Sequence, residues 1–135
     1  MTDVVEGRIV PVLMFEGRAQ EAIDLYTAVL PDARVAGVHR YGPQGPGDEG
    51  TVLRAVVLIG DRPVVLMDSP VHHEFTFTPS ISLSLTCQDR TEIEHLVGEL
   101  GRDGQVLMPL DSYGFSTAYA WINDRFGVSW QLTLP

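Results

Sequence analysis

One order of predicted elements, a strand, a helix and then three strands, occurs twice along this chain. The helices are predicted at 18–30 and 90–101, each with apolar residues spaced three or four apart, as in a helix with one buried face. A shift of 71 residues places four apolar positions of the first helix on apolar positions of the second. The pairs are Ala22 with Ile93, Leu25 with Leu96, Tyr26 with Val97 and Val29 with Leu100. The repeat predicts two βαβββ modules.

The remaining elements of both copies are predicted strands. They are expected at 9–15, 33–41, 51–59 and 63–68 in the first copy, and at 80–87, 105–110, 116–122 and 128–134 in the second. The fold class is therefore α+β, with two paired βαβββ modules. We expect one domain over 1–135, with module one at about 9–68, a linker at 69–79 and module two at about 80–134.

Charge and cysteine content restrict the partners and the compartment. The formal net charge is −9, with only nine Lys and Arg residues, which argues against nucleic acid and anionic membranes as partners. The single cysteine, Cys87, cannot form an intramolecular disulfide and fits a reducing compartment. No signal peptide or membrane-spanning apolar run is recognisable, so a cytoplasmic protein is expected.

Three stretches carry a resemblance to a known family. They are VPVLMFEGRAQEAIDLYTAVLPDARV near the start, RYGPQGPGDEGTV with FTFTPSISLSLTCQD in the middle, and WINDRFGVSWQL at 121–132. Over about 9–134 the chain resembles the PhnB-like branch, also called 3-demethylubiquinone-9 3-methyltransferase, of the vicinal oxygen chelate superfamily. That superfamily includes glyoxalases, bleomycin-resistance proteins and extradiol dioxygenases.

The resemblance implies a cup-shaped, half-barrel sheet whose enzymes hold one divalent metal ion. Its ligands come from the first and last strands of each module, at positions that here are Pro11, Leu66, Ser82 and Gln131. None of the four is a His, Asp, Glu or Cys, the residues that bind divalent metals well. We therefore expect no metal ion and no cofactor. Metal-dependent glyoxalase or dioxygenase chemistry, which needs a Lewis acid, is disfavoured.

Strand alternation indicates which side chains line the predicted cup. Ser82 and Ser84 would face inward from the second module's first strand, with Ser129 and Gln131 from its last. Leu13 and Phe15 would face inward from the first strand, and Trp130 would belong to the core. The candidate pocket residues are Leu13, Phe15, Met67, His73, Phe75, Ser82, Ser84, Tyr119, Trp121, Ser129 and Gln131. This mixed lining suits a small, partly polar organic molecule.

Other functions stay open at this stage. His72 and His73 are adjacent and would point in opposite directions on an extended segment, so a shared metal ion is disfavoured, but either could act as a substitute ligand. Cys87 precedes the second helix, whose N-terminus could lower a thiol pKa, although a packing role is favoured. Methyl transfer is disfavoured because the chain lacks the Gly-rich loop and parallel sheet expected for S-adenosylmethionine.

A regulatory or dimerisation module remains a further alternative. In that case Phe15, Met67 and Trp121 would fill the cup. The resemblance also implies a homodimer.

Overall fold

The computed structural model describes residues 9–135, in two compact units that divide between His73 and Glu74. Unit one ends at His73, and unit two runs from Glu74 to Pro135. Each unit contains a strand, a helix and three further strands in that order, so the predicted α+β fold with two βαβββ modules is confirmed. Within residues 9–135, no helix is long and apolar enough to cross a membrane.

Unit one is a four-stranded sheet with one helix. Its elements are β1 (Val12–Phe15), α1 (Ala19–Val29), β2 (Ala33–Arg40), β3 (Val52–Ile59) and β4 (Arg62–Asp68). The strand order is β1-β4-β3-β2, in which β1 and β4 are parallel and the other neighbours are antiparallel. Helix α1 contacts β2, β3 and β4, so the unit has two layers.

Unit two repeats this arrangement. Its elements are β5 (Leu83–Thr86), α2 (Arg90–Leu100), β6 (Gln105–Asp111), β7 (Ala118–Asn123) and β8 (Ser129–Leu134). The strand order is β5-β8-β7-β6, again with one parallel pair, β5 with β8. Asp89 caps α2 by accepting a hydrogen bond from the Glu92 N–H at 2.8 Å.

The first strand of each unit is shorter than predicted. The strand expected at 9–15 begins at Val12, and the strand expected at 80–87 begins at Leu83. Pro11 has no N–H to donate and contributes only its carbonyl, which accepts a hydrogen bond from Val65 N at 3.0 Å. Pro79 and Ser80 form a turn before β5. Each of the two shortened strands thus begins shortly after a proline.

The bounds of α1 and α2 differ by 71 residues, as predicted, but the most buried positions of the two helices match at an offset of 70. Ile23, Tyr26 and Leu30 are at most 5% exposed, and an offset of 70 places them on Ile93, Leu96 and Leu100, which are all 0% exposed. Leu25, Val29 and Val97, which the other offset aligned, are only partly buried. Both offsets match apolar residues because each helix has a wide apolar stripe.

Strand pairing changes the face assigned to Leu13 and Phe15. In the parallel β1–β4 pair, Leu13 lies opposite Leu66 and Phe15 opposite Asp68, and paired residues share a face. Asp68 Oδ1 accepts hydrogen bonds from Gly17 N at 2.7 Å and from Ala19 N at 3.0 Å, at the start of α1. Leu13, Phe15 and Leu66 therefore lie on the helix-facing side, and their predicted inward orientation is wrong.

The opposite face of unit one carries other residues. Met14 pairs with Met67 there, and Val12 with Val65. In unit two the predicted faces hold. Leu83 pairs with Trp130 on the buried side, whereas Ser84 pairs with Gln131 on the other. We call the face opposite the helix the open face of each unit.

Candidate functional site

Five polar side chains form a continuous hydrogen-bond network on the open face of unit two. Trp121 Nε1 donates to Ser129 Oγ at 2.8 Å, and Ser129 Oγ lies 2.7 Å from Ser82 Oγ. Gln131 Nε2 donates to Ser82 Oγ at 3.3 Å, and Tyr119 Oη donates to Gln131 Oε1 at 2.7 Å. We call this set the polar network. All five residues were pocket candidates from the sequence, and the fold brings them together.

Strand register explains how residues far apart in sequence meet there. Trp121 on β7 lies opposite Gln131 on β8, and Asn123 lies opposite Ser129. The parallel pairing of β5 with β8 brings Ser82, just before β5, beside Ser129. The alternate residues Trp130 and Leu132 point to the buried side and are at most 2% exposed. Alternation thus separates an apolar core from a polar open face.

The polar network contains hydroxyl, amide and indole groups and no ionised side chain. Burial raises the pKa of the Tyr119 hydroxyl above its ordinary value, and the nearby Tyr113 hydroxyl raises it further. Tyr119 therefore stays protonated at neutral pH and serves as a hydrogen-bond donor. The network can hold a polar, uncharged group through hydrogen bonds, but it has no nucleophile paired with a base.

Two further aromatic rings pack on Tyr119 and so adjoin the polar network. The Tyr113 and Phe115 rings are stacked with centroids 6.1 Å apart, and Phe115 packs edge-to-face on Tyr119 at 5.0 Å. Tyr113 also meets Tyr119 edge-to-face at 5.9 Å. Phe115 is 64% exposed and Tyr113 is 37% exposed. This ring cluster of Tyr113, Phe115 and Tyr119 offers exposed aromatic surface beside a hydrogen-bonding surface.

Phe115 was missed as a candidate from the sequence. The available signal was the segment Asp111–Ser116, where aromatic residues flank Gly114 just before β7.

The DRFGVSWQ motif positions β8, and with it two members of the polar network. Asp124 is 2% exposed, and its Oδ1 accepts hydrogen bonds from Phe126 N at 2.9 Å and Val128 N at 3.0 Å. Its Oδ2 accepts from Trp130 Nε1 at 3.0 Å. Gly127 adopts φ +93°, which favours glycine in this turn. The motif is therefore a structural turn that fixes Ser129 and Gln131.

Unit one has a polar pocket at a different place, beside the start of α1. The cavity is about 140 Å³ in volume and is lined by residues that include Glu16, Asp48, Asp68 and His72. Glu16 Oε1 lies 2.8 Å from His72 Nδ1, and Glu16 Oε2 accepts from His73 N at 3.1 Å. The hydrogen bond with His72 is the main cause that lowers the pKa of Glu16.

His72 and His73 bind different partners. His73 Nε2 lies 2.8 Å from Ser69 Oγ, whereas His72 faces Glu16. Among residues 9–135, no group of three His, Cys, Asp or Glu side chains is arranged to hold a metal ion. The structure thus does not bring the two histidines together as substitute ligands.

The other candidate residues from the sequence make none of the hydrogen bonds of the polar network. Met67 is half-buried in unit one, and Phe75 is 63% exposed. Ser84 is exposed on the open face next to Gln131. Cys87 is 1% exposed, and burial raises the pKa of its thiol to about 11. Burial therefore outweighs any lowering of the thiol pKa by the start of α2.

Comparison with known structures first defines the class of protein. A glyoxylase/bleomycin resistance protein/dioxygenase domain from Frankia sp. EAN1pec superposes with a TM-score of 0.69 at 15% identity, over 96% of this chain and 92% of that domain. At this identity the likeness shows the fold alone. It supports the glyoxalase/bleomycin-resistance-like α+β fold with two modules that the sequence predicted.

The family follows from closer matches. The family model described as 3-demethylubiquinone-9 3-methyltransferase matches residues 7–133, and this chain belongs to that family. A PhnB protein from Bacillus cereus is 45% identical, with a TM-score of 0.91 over 96% of this chain and 100% of that one. Protein PA1353 from Pseudomonas aeruginosa is 26% identical, with a TM-score of 0.83 over 96% and 98%. No curated protein matches the chain.

Proposed function

We propose that this protein binds a small, uncharged organic molecule on the open face of unit two, without a metal ion. The observation that carries the proposal is the polar network, in which Ser82, Trp121, Ser129, Gln131 and Tyr119 are joined by hydrogen bonds beside the ring cluster. A few placed polar groups next to aromatic surface are typical of small-molecule sites. None of the five side chains of the polar network is ionised, which favours an uncharged ligand at this network.

The donor chemistry does not fit the divalent metal ion that the superfamily fold implies. On the open face of unit two, the relevant side chains are the Ser82 hydroxyl and the Gln131 amide, which bond to each other at 3.3 Å. At the matching strand pair of unit one, Met14 and Met67 offer thioethers only, and His39, which the register places on the same face, belongs to no group of three possible ligands among residues 9–135. Divalent ions such as Zn²⁺ or Mn²⁺ need imidazole, carboxylate or thiolate ligands. We therefore derive no Lewis-acid step for this protein.

The family description names methyl transfer, but we do not propose that reaction for this chain. A methyltransferase that uses S-adenosylmethionine would be expected on a mainly parallel sheet with a Gly-rich loop after its first strand. Each sheet described here has one parallel strand pair, and its other neighbours are antiparallel. We propose binding, with no reaction assigned.

The test uses the two tryptophan indole N–H signals in a ¹H–¹⁵N NMR spectrum. Trp121 belongs to the polar network, whereas Trp130 is buried on the other side of the sheet and bonds to Asp124, so it serves as an internal control. Acetophenone and 1-phenylethanol are suitable probes because each is a small, uncharged ring with one oxygen. We expect titration to move the Trp121 signal and leave the Trp130 signal in place.

If neither probe moves the Trp121 signal, binding at this face is refuted. Trp121→Phe assigns the signal by removing it. Metal analysis of the purified protein is the companion measurement, and one tightly bound divalent ion per chain would contradict metal-free binding.

We also propose a homodimer in the cytoplasm. This rests on the family resemblance, the acidic charge and the single cysteine. Light scattering at micromolar concentration checks the dimer, and a monomer there would contradict it.

A further inference from the structure

The hydrogens of the polar network can be assigned from its chemistry. An indole N–H can only donate, so Ser129 Oγ accepts from Trp121. Ser129 is 2% exposed, and its hydroxyl hydrogen has Ser82 Oγ as its only partner within the described part of the chain. A buried donor without a partner would be costly, so Ser129 donates to Ser82.

This assignment leaves two donors at the edge of the network. Ser82 Oγ already accepts from both Ser129 and Gln131 Nε2, so its own hydrogen is not used within the network. Gln131 Oε1 accepts from Tyr119, which fixes the orientation of the amide and leaves a second N–H on Nε2. We call the Ser82 hydroxyl and this Gln131 N–H the donor pair. Both residues are half-buried and reachable by a ligand.

The spacing of the donor pair suits one acceptor oxygen. Ser82 Oγ and Gln131 Nε2 are 3.3 Å apart, so both can lie within about 2.9 Å of one oxygen atom. A carbonyl oxygen accepts two such hydrogen bonds and donates none. A hydroxyl oxygen also brings a hydrogen that needs an acceptor, and the donor pair provides none.

The ring cluster specifies what the carbonyl is attached to. Tyr119 bonds to Gln131 and also packs against Phe115 and Tyr113, so aromatic surface begins one hydrogen bond away from the donor pair. A planar ring stacked there would extend from the carbonyl group. We infer that the donor pair of Ser82 and Gln131 receives the carbonyl oxygen of an uncharged aryl carbonyl compound. This inference rests on the proposed function and names its ligand class.

Acetophenone and 1-phenylethanol test this inference because they share a ring and differ at the oxygen. By the Trp121 signal, acetophenone should bind more tightly than 1-phenylethanol. Ser82→Ala removes one donor and should weaken acetophenone binding by about tenfold, the effect of about one hydrogen bond. Gln88→Leu is the control, because Gln88 is exposed just before α2 and its side chain takes no part in the network.

Gln131→Glu tests the role of the donor pair more directly than Ser82→Ala does. A carboxylate of the same size accepts hydrogen bonds and donates none, so the preference should reverse in favour of 1-phenylethanol, whose hydroxyl can donate. An unchanged Trp130 signal shows that each variant is folded. Should a variant not fold, the other variant and the preference of the native protein still decide the result.

The outcomes separate the two proposals. If both probes bind the native protein equally and Gln131→Glu does not change their ratio, the carbonyl inference is wrong while binding at this face stands. If neither probe moves the Trp121 signal, the proposed function fails as well.

Discussion

Where the first strand of each unit pairs with the last, the open face of unit one carries thioether and aliphatic side chains, whereas that of unit two carries hydroxyl and amide groups. Met14 and Met67 pair in unit one, while Ser84 and Gln131 pair in unit two. The helix-facing sides are alike, since both are apolar and fully buried at residues such as Leu66 and Leu132. The repeat therefore fixes the side that packs on the helix, and the open face is free to differ.

Each unit also contains a buried aspartate whose carboxylate accepts three hydrogen bonds. Asp68, at the end of β4, accepts from Gly17 N, Ala19 N and Val52 N, which ties β4 to the start of α1 and to β3. Asp124 accepts from two backbone N–H groups and the Trp130 indole, all within its turn and β8. Each is 2% exposed. Asp68 connects elements that are distant in sequence, whereas Asp124 stabilises a local turn.

The largest expected effect is from removing either carboxylate. Asn at position 68 or 124 would direct an NH₂ group at a donor, so Asp68→Asn and Asp124→Asn should each lower the free energy of unfolding by about 4 kcal/mol. Chemical denaturation measures this, with exposed Asp61→Asn as the control. A loss at only one position would show that the two carboxylates are not equivalent.

The next effect distinguishes the two faces of unit one. Leu66 is 0% exposed on the helix-facing side, so Leu66→Ala should cost about 3 kcal/mol of unfolding free energy. The neighbouring Met67 is half-buried on the open face, and Met67→Ala should cost clearly less. Equal losses in denaturation would contradict the face assignment drawn from the β1–β4 register.

The smallest effect concerns the hydrogen-bonded pair of Glu16 and His72 in unit one. This pair includes an ionisable carboxyl group, whereas the polar network of unit two is neutral. The pKa of Glu16 is lowered chiefly by its hydrogen bond with His72, so His72→Ala should raise it. A lowered carboxyl pKa stabilises the fold above the unfolded pKa, and this contribution is lost as pH falls through the folded value. Since the pair is exposed, stability should hardly change.

NMR titration of the Glu16 side chain measures this shift. Gln20→Ala, an exchange of a neutral side chain on α1, is the control. An unchanged Glu16 pKa in His72→Ala would show that His72 does not set it.

The sequence predicted the open face of unit two better than that of unit one. Ser82, Ser129 and Gln131 alternate with large apolar residues, and this local pattern is enough to assign their face. Leu13 and Phe15 lie in a run that is apolar throughout, so the alternation of polar and apolar residues does not indicate which face they take. The face predicted for them was wrong. Because the helix stripes match at 70 and at 71 residues, the repeat could not decide between them.

By itself, the sequence determined the two βαβββ modules, the family and the polar residues of β8, because periodicity and motifs are local properties of the chain. Only the tertiary structure decided the register of β1 on β4, the bonds of Asp68 and the meeting of Ser82 with Ser129. The physical reason is that such contacts join residues far apart in the sequence, 51 positions for Gly17 with Asp68 and 47 for Ser82 with Ser129, which no local pattern encodes.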